Sequence, residues 1–312
     1  MKLSLVGAYC LLAFSTAACF KSDAGGGILA ADSVAGMRYI NLVPDTGAVD
    51  FRVVDVVGNA PNAEQATFRS GGLVYGVPNN GFLPVYTAVA AGTRQIRVFM
   101  NGGTPTVSST ILLDTTFTFV SGQNYTFFLY GYSRTGATPK IQALITQDVI
   151  PTIGATQFAV RVVDLANTLA PTFGAATPDV FVDTLPAATT PVGVANATTA
   201  AFTNVNLLEV RPYSLLTARP AAAGPPAVTN LDYRVAFAAT GTKTPFLTVN
   251  LPTGTVGTST TNPLPGNRVA GTAMTVVLVP RSVAGSQAPQ TAAFLAPAAL
   301  VLIDRLPPRT AP

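Results

Sequence analysis

The chain has 312 residues, of which 48% are apolar and only 10% charged, with 18 Lys and Arg against 14 Asp and Glu for a formal charge of +4. So weak and scattered a positive balance excludes a nucleic-acid surface, and so apolar a composition excludes a disordered chain. The absence of histidine removes Ser-His-Asp hydrolysis, Cys-His catalysis and every histidine-bound zinc or iron site.

In chain order, Met1-Lys2 is followed by an apolar run over residues 3–14. At about a dozen residues the run is too short to span a bilayer, which takes roughly 20. It closes on Ser15-Thr16-Ala17-Ala18-Cys19, small residues set directly before a cysteine, and this resembles the lipobox of bacterial lipoproteins. The resemblance implies a signal peptide over residues 1–18, cleavage after Ala18 and a lipid on Cys19, which anchors the protein to a membrane in the cell envelope. The outer membrane or cell surface is expected rather than the inner membrane. Cys10 and Lys2 leave with the signal, so the balance falls to about +3 and the one remaining thiol permits no internal disulfide. Residues 19–35 form a tether, polar and glycine-rich from Lys21 to Gly27, with the composition of a flexible spacer. Every later apolar run is cut by Pro, Gly or charge, so none is expected to cross a membrane as a helix.

About 290 residues remain after the signal, room for two ordinary domains. The 27 Gly and 25 Pro stand between apolar runs as turn punctuation. Two-residue alternation or β-branched runs predict strands over 37–43, 49–55, 85–89, 94–100, 109–119, 125–130 and 140–146. Pro44-Asp45-Thr46-Gly47 suits a tight turn between the first two, and Asn80-Gly81 and Asn101-Gly102 suit hairpin turns. Seven short strands in about 110 residues predict a β-sandwich over residues 36–150.

These residues also carry a resemblance. Pro44-Asp45, Val49-Asp50, the run from Ala91 to Val98 and the run from Ser121 to Gly131 are similar to the family catalogued as domain of unknown function 4397. The resemblance covers roughly residues 36–150. It implies a secreted or lipid-anchored bacterial β-sandwich, immunoglobulin-like or transthyretin-like, and brings no established chemistry.

The second half reads as a diverged copy, a sandwich over residues 156–307 joined through residues 151–156. Residues 158–164 match the opening strand, 178–183 echo 49–53, and 205–213 stand in the place of 89–98. Residues 270–280 parallel 121–131, and 299–304 close the copy as 141–148 close the first. The copy carries long insertions at 165–177, 185–200, 221–230 and 254–267, rich in Pro, Ala, Thr and Gly. Long loops on a rigid scaffold are where binding resides, and they are also where length is tolerated at little cost. The fold class expected is therefore all-β, two tandem sandwiches after a lipoprotein signal peptide.

Candidates for chemistry are few. Lipid consumes Cys19, and none of Lys21, Lys140 and Lys243 lies in a Ser-x-x-Lys setting. Carboxylates can act in pairs, as in glycoside cleavage, and Asp45, Asp50, Asp55 and Glu64 lie near one another in sequence, but Asp50 and Asp55 fall on opposite faces of a continuous strand. Turn and strand-edge roles account for them more simply, and calcium held by loop carboxylates is a minor alternative. Phe117, Phe119, Tyr125 and Phe127 occupy one strand face, and Phe128, Tyr130 and Tyr132 the opposite one. If one face is core, the other either supports the sheet or presents tyrosines to a partner. No catalytic residue, cofactor or metal site is expected. The expected role is a non-catalytic binding or adhesion module, held to the membrane by its lipid and engaging a protein or carbohydrate partner; the alternatives are a structural envelope component or a carboxylate-dependent hydrolase.

Overall fold

The computed structural model describes residues 34–54, 66–136, 138–166, 177–184, 195, 197, 199–219, 232–279 and 297–308. Cys19 with its signal, the tether up to residue 33, Asp55, Glu64, the 221–230 insertion and most of 165–177 and 185–200 lie outside the described residues, whereas the last two residues expected in the tether, Val34 and Ala35, open the first strand.

The chain is all-β. Strands β1 (Val34–Asn41), β2 (Val49–Val54), β3 (Ala66–Leu73), β4 (Asn79–Phe82) and β5 (Thr87–Ala90) come first. They are followed by β6 (Gly92–Met100), β7 (Ile111–Phe119), β8 (Asn124–Tyr130) and β9 (Gln142–Gln147). A single helical turn, α1 (Pro105–Ser108), separates β6 from β7, with proline in its first turn where a missing N–H costs nothing. The second run holds β10 (Gln157–Asp164), β11 (Pro178–Thr184), β12 (Ser214–Thr217), β13 (Tyr233–Ala239), β14 (Pro245–Asn250), β15 (Ala273–Val279) and β16 (Ala298–Arg305).

Four sheets result, ordered β5-β1-β8-β9, β3-β2-β6-β7, β12-β10-β15-β16 and β11-β13-β14. The first two close around Met37, Tyr39, Phe51, Val98 and Phe127, and the last two around Phe158, Val180, Val235, Phe237 and Val276. Each pair is a β-sandwich. The two inner sheets share one pattern: an antiparallel edge strand, then the opening strand, then a parallel partner (β1 with β8, β10 with β15), then an antiparallel closing strand.

The opening and parallel strands bury both faces. Met37 and Tyr39 point into their own sandwich, whereas Ile40 and Leu42 join Phe128, Tyr130, Val163, Val277, Val279 and Leu302 in a separate apolar layer. Successive side chains alternate across a strand, so one run feeds two cores. The inner sheets therefore face each other, and the protein is a stack of four β layers. Phe128, Tyr130 and Tyr132, one expectation for which was display to a partner, are buried at 0%, 5% and 2% exposure, Phe128 and Tyr130 under the opposing sandwich. The opposite aromatic face is core too, with Phe119 and Tyr125 packed edge-on at 5.4 Å.

Local differences have local causes. Asn80-Gly81 lies inside β4 rather than in a turn, because the Asn79 side-chain carbonyl accepts the Tyr39 N–H and ties this segment to β1. In the second sandwich, β12 and β13 take the places of β5 and β6, so residues 205–213 are not the equivalent of 89–98. Those residues form a loop instead, and Pro212 has no N–H to give a ladder.

Two of the long insertions turn inward. Residues 254–267 fold back on themselves, Thr255 pairing with Leu264, and Gly266 lies so close to the backbone of Thr253 and Gly254 that any side chain would strike it. Ala195, Ala197 and Ala200 pack over Phe181, Ala236 and Ala238, covering the outer face of β11-β13-β14. There, the described part of the 185–200 insertion covers its own sheet.

Candidate functional site at the joint between the sandwiches

The most concentrated chemistry in the described residues lies between the two inner sheets. Arg38 on β1 and Arg161 on β10 project from the faces that meet, at 0% and 3% exposure. Each stands directly across a parallel pair from a threonine, Arg38 opposite Thr126 and Arg161 opposite Thr275. The Arg38 Nε and Nη2 donate to Thr126 Oγ1 at 3.2 and 2.9 Å, and the Arg161 Nε donates to Thr275 Oγ1 at 2.7 Å. Each threonine hydroxyl donates in turn to an aspartate of its own sandwich: Thr126 to Asp148 Oδ2 at 2.7 Å, Thr275 to Asp304 Oδ2 at 2.6 Å. A tyrosine from each sandwich adds a second donor, Tyr86 to Asp148 at 2.8 Å and Tyr213 to Asp304 at 3.0 Å.

The ion pairs then cross. Arg38 Nη2 donates to Asp304 Oδ1 at 2.7 Å, and Arg161 Nη2 donates to Asp148 Oδ1. Each sandwich thus supplies the cation for the other's anion, and each guanidinium lies over its own sandwich's tyrosine ring, Arg38 over Tyr86 at 5.3 Å and Arg161 over Tyr213 at 4.8 Å.

The environment shifts these groups strongly. Burial alone would lower Arg38, but the charges of Asp304, Tyr86 and Asp148 outweigh it and hold the guanidinium above the ordinary arginine range. Arg161 is raised in the same way, with Asp304, Tyr213 and Asp148 outweighing its burial. Burial pushes the Asp304 carboxyl up, against the pull of Arg38 and Arg161, and raises both tyrosines. Two cations and two anions closed on each other in a dry layer form a lock between sheets, since a buried charge is tolerated only when paired and hydrogen-bonded.

The carboxylates singled out in sequence do other work. Asp45 accepts the backbone N–H groups of Ser133 and Arg134 at 2.8 and 3.0 Å and so pins the 131–136 segment to the first turn. Replacing Asp45 with alanine strands two partly buried N–H donors and is expected to cost about 1–3 kcal/mol in denaturant unfolding. An unchanged midpoint would show that water satisfies those donors. Asp50 accepts from Asn101 at 2.9 Å and from the Gly72 N–H at 3.3 Å, and lies 3.4 Å from Arg52. Among the described residues no group of three His, Cys, Asp or Glu side chains is placed to hold a metal ion, and no helix is long and apolar enough to cross a membrane.

Sequence reasoning passed over all eight network residues. An arginine within a strand reads as a solvent-facing residue, yet the signal was present: the matched opening strands carry Arg38 and Arg161, and the matched closing segments reach Asp148 and Asp304.

Fold and site together define a protein of β-sandwich domains joined face to face by a buried, crossed ion network. Residues 35–173 match the family described as Domain of unknown function (DUF4397). The match continues past the expected end near residue 150, through β10, so that Asp148 and Arg161 both lie within it. No curated protein matches the chain. Among solved structures the chain is similar to one titled "Crystal structure of a putative cell adhesion protein from Bacteroides eggerthii", at 10% identity over 89% of this chain and 97% of that one, with a TM-score of 0.18. At that score the likeness says nothing about the fold or role of this chain.

Proposed function

We propose that this is a lipid-anchored protein of the bacterial cell envelope that acts as a non-catalytic binding or adhesion module, with two sandwiches, over residues 36–150 and 156–307, descended from one duplicated unit. The observation that carries the reading is that every described Asp and Glu is engaged within the protein, in an ion pair or as acceptor of a hydrogen bond, which argues against a carboxylate pair set aside for catalysis. Asp148 and Asp304, the two that share a site, have side chains at 0% exposure, unlike the water-flanked pair of a glycosidase. The shared strand pattern of the inner sheets and the repeated Arg-Thr-Asp-Tyr set support duplication. Ser15 to Cys19 supports the anchor. A purely structural envelope role is favoured by one observation, the alanine-rich segment that closes the outer face of β11-β13-β14.

Metabolic palmitate labelling of the natural protein and Cys19→Ala, followed by protease shaving of intact cells, tests the reading. Label on the natural protein alone, with cleavage from outside, is expected; an unlabelled and freely soluble natural protein removes the anchor.

A further inference from the structure

The crossed network is not quite symmetric, and the difference lies in a backbone bulge. Along β15 and β16, Ala273 stands opposite Arg305 and Met274 opposite Ile303, so Asp304 is an extra residue. At this bulge the Ile303 carbonyl accepts from Arg38 Nη1 at 2.8 Å. In the other sandwich β9 runs against β8 without a bulge, Tyr125 opposite Gln147 and Thr126 opposite Thr146. Arg161 therefore has no counterpart of that carbonyl. Its Nε and Nη2 are bonded, and among the described residues its Nη1 has no partner: the residue is 3% exposed overall, yet this nitrogen is not among the buried polar atoms that lack one, so it opens to solvent.

Arg161 lines a recess of about 460 Å³ at the joint between the sandwiches. That volume suits a small organic molecule, for which sites of about 300–1,000 Å³ are usual. Val149 and Pro151 line it from the end of the first sandwich, and Val210 and Pro212 from the second. Arg211 lines it too, its guanidinium held by Nη2 donating to the Thr203 and Asn204 carbonyls at 2.6 and 2.8 Å. Three acidic groups bear on these arginines: Asp148 and Asp304 are taken up by the network, and Glu209 lies 3.1 Å from Arg211 Nε. No carboxylate lines the recess.

We infer that the recess binds a small organic carboxylate with an apolar body, its oxygens on Arg161 Nη1 and Arg211 and its body against Val149, Pro151, Val210 and Pro212. This rests on the proposed binding role and names its ligand class. A guanidinium nitrogen that opens onto a mostly apolar recess is placed to make a charge-assisted hydrogen bond, and a ligand oxygen supplies what the missing carbonyl does not.

The test is calorimetric titration of the full chain carrying Cys19→Ala with N-acetylvaline, and with its uncharged amide, as probes. The acid is expected to bind about tenfold or more tightly than the amide, the worth of one charge-assisted hydrogen bond. Val149→Glu alters a side chain 65% exposed, so the fold is retained while a like charge enters the recess, and binding of the acid is expected to be lost at an unchanged melting temperature. Arg211→Gln is expected to weaken the acid and leave the amide unchanged. Equal affinities for acid and amide, binding unaffected by Val149→Glu, or no binding of the acid at millimolar concentration would each overturn the inference. A protein that fails here but is labelled and shaved at the cell surface loses the recess and keeps its envelope role; one that binds the acid but takes no label keeps the recess and loses the anchor.

Discussion

Replacing Asp304 with alanine is expected to destabilise the protein by about 3–5 kcal/mol, the usual cost of removing one partner from a buried pair. For a chain of this size that lowers the melting temperature on the order of 10 °C. The reason is charge balance: Asp304 answers Arg38 at 2.7 Å and takes hydroxyl donors from Thr275 and Tyr213, and without it two buried guanidinium groups share Asp148. The damage is to the joint, so the variant is expected to unfold in two transitions where the natural protein unfolds in one. Pairing Asp304→Leu with Arg38→Met removes both charges and is expected to restore much of the loss, because an apolar pair of similar volume incurs no desolvation penalty. If the double variant is as unstable as the sum of its single variants, the two residues are not coupled and the lock does not exist. High salt is expected to leave the effect in place, since the pair is out of reach of counterions.

Asp164→Asn is expected to stabilise the protein above pH 7 and to change little at pH 4. Burial raises the Asp164 carboxyl from an ordinary 3.8 to about 7, against the opposing effect of the Ala166 N–H that it accepts at 2.8 Å. Its other oxygen, Oδ2, is buried without a partner. With the folded value above the unfolded one, the folded state holds the extra proton between pH 4 and 7, so stability from this group declines as pH rises through that window and is lowest once Asp164 is ionised. A shift of this size is worth up to about 4 kcal/mol, and roughly 2 kcal/mol is expected after relaxation. The first sandwich shows the remedy, for Asn41 at the corresponding end of β1 accepts the Val43 N–H at 3.0 Å and donates to the Leu73 carbonyl at 3.2 Å. Melting curves of both proteins from pH 4 to pH 8 that stay parallel would show that Asp164 does not titrate in this range.

Strand alternation was legible for the opening strands because period two survives whatever lies on either side: residues 37–43 and 158–164 mark β1 and β10 within a few residues. The two aromatic faces of residues 117–132 were legible as faces for the same reason, but which of them is core was not, and both are buried. β3 and β4 escaped notice. Ala66–Leu73 carries Arg, Ser and two glycines in place of an apolar alternation, and Asn79–Phe82 is held by the Asn79 side chain rather than by its own pattern. The insertions were legible as loops, yet nothing in Ala195, Ala197 or Ala200 distinguishes a segment that reaches for a partner from one that covers its own sheet.

What the sequence by itself determined is the all-β class, the alternation that builds each sandwich and the absence of histidine chemistry, because these depend on composition and on neighbours along the chain. Only the tertiary structure decided that Phe128 and Tyr130 face another sandwich instead of water, that Arg38 answers Asp304 and Arg161 answers Asp148, and that one guanidinium nitrogen is left open beside a recess. The physical reason is distance along the chain. Arg38 and Asp304 are 266 residues apart, and no local preference encodes which of two buried charges will meet which when two sheets pack face to face.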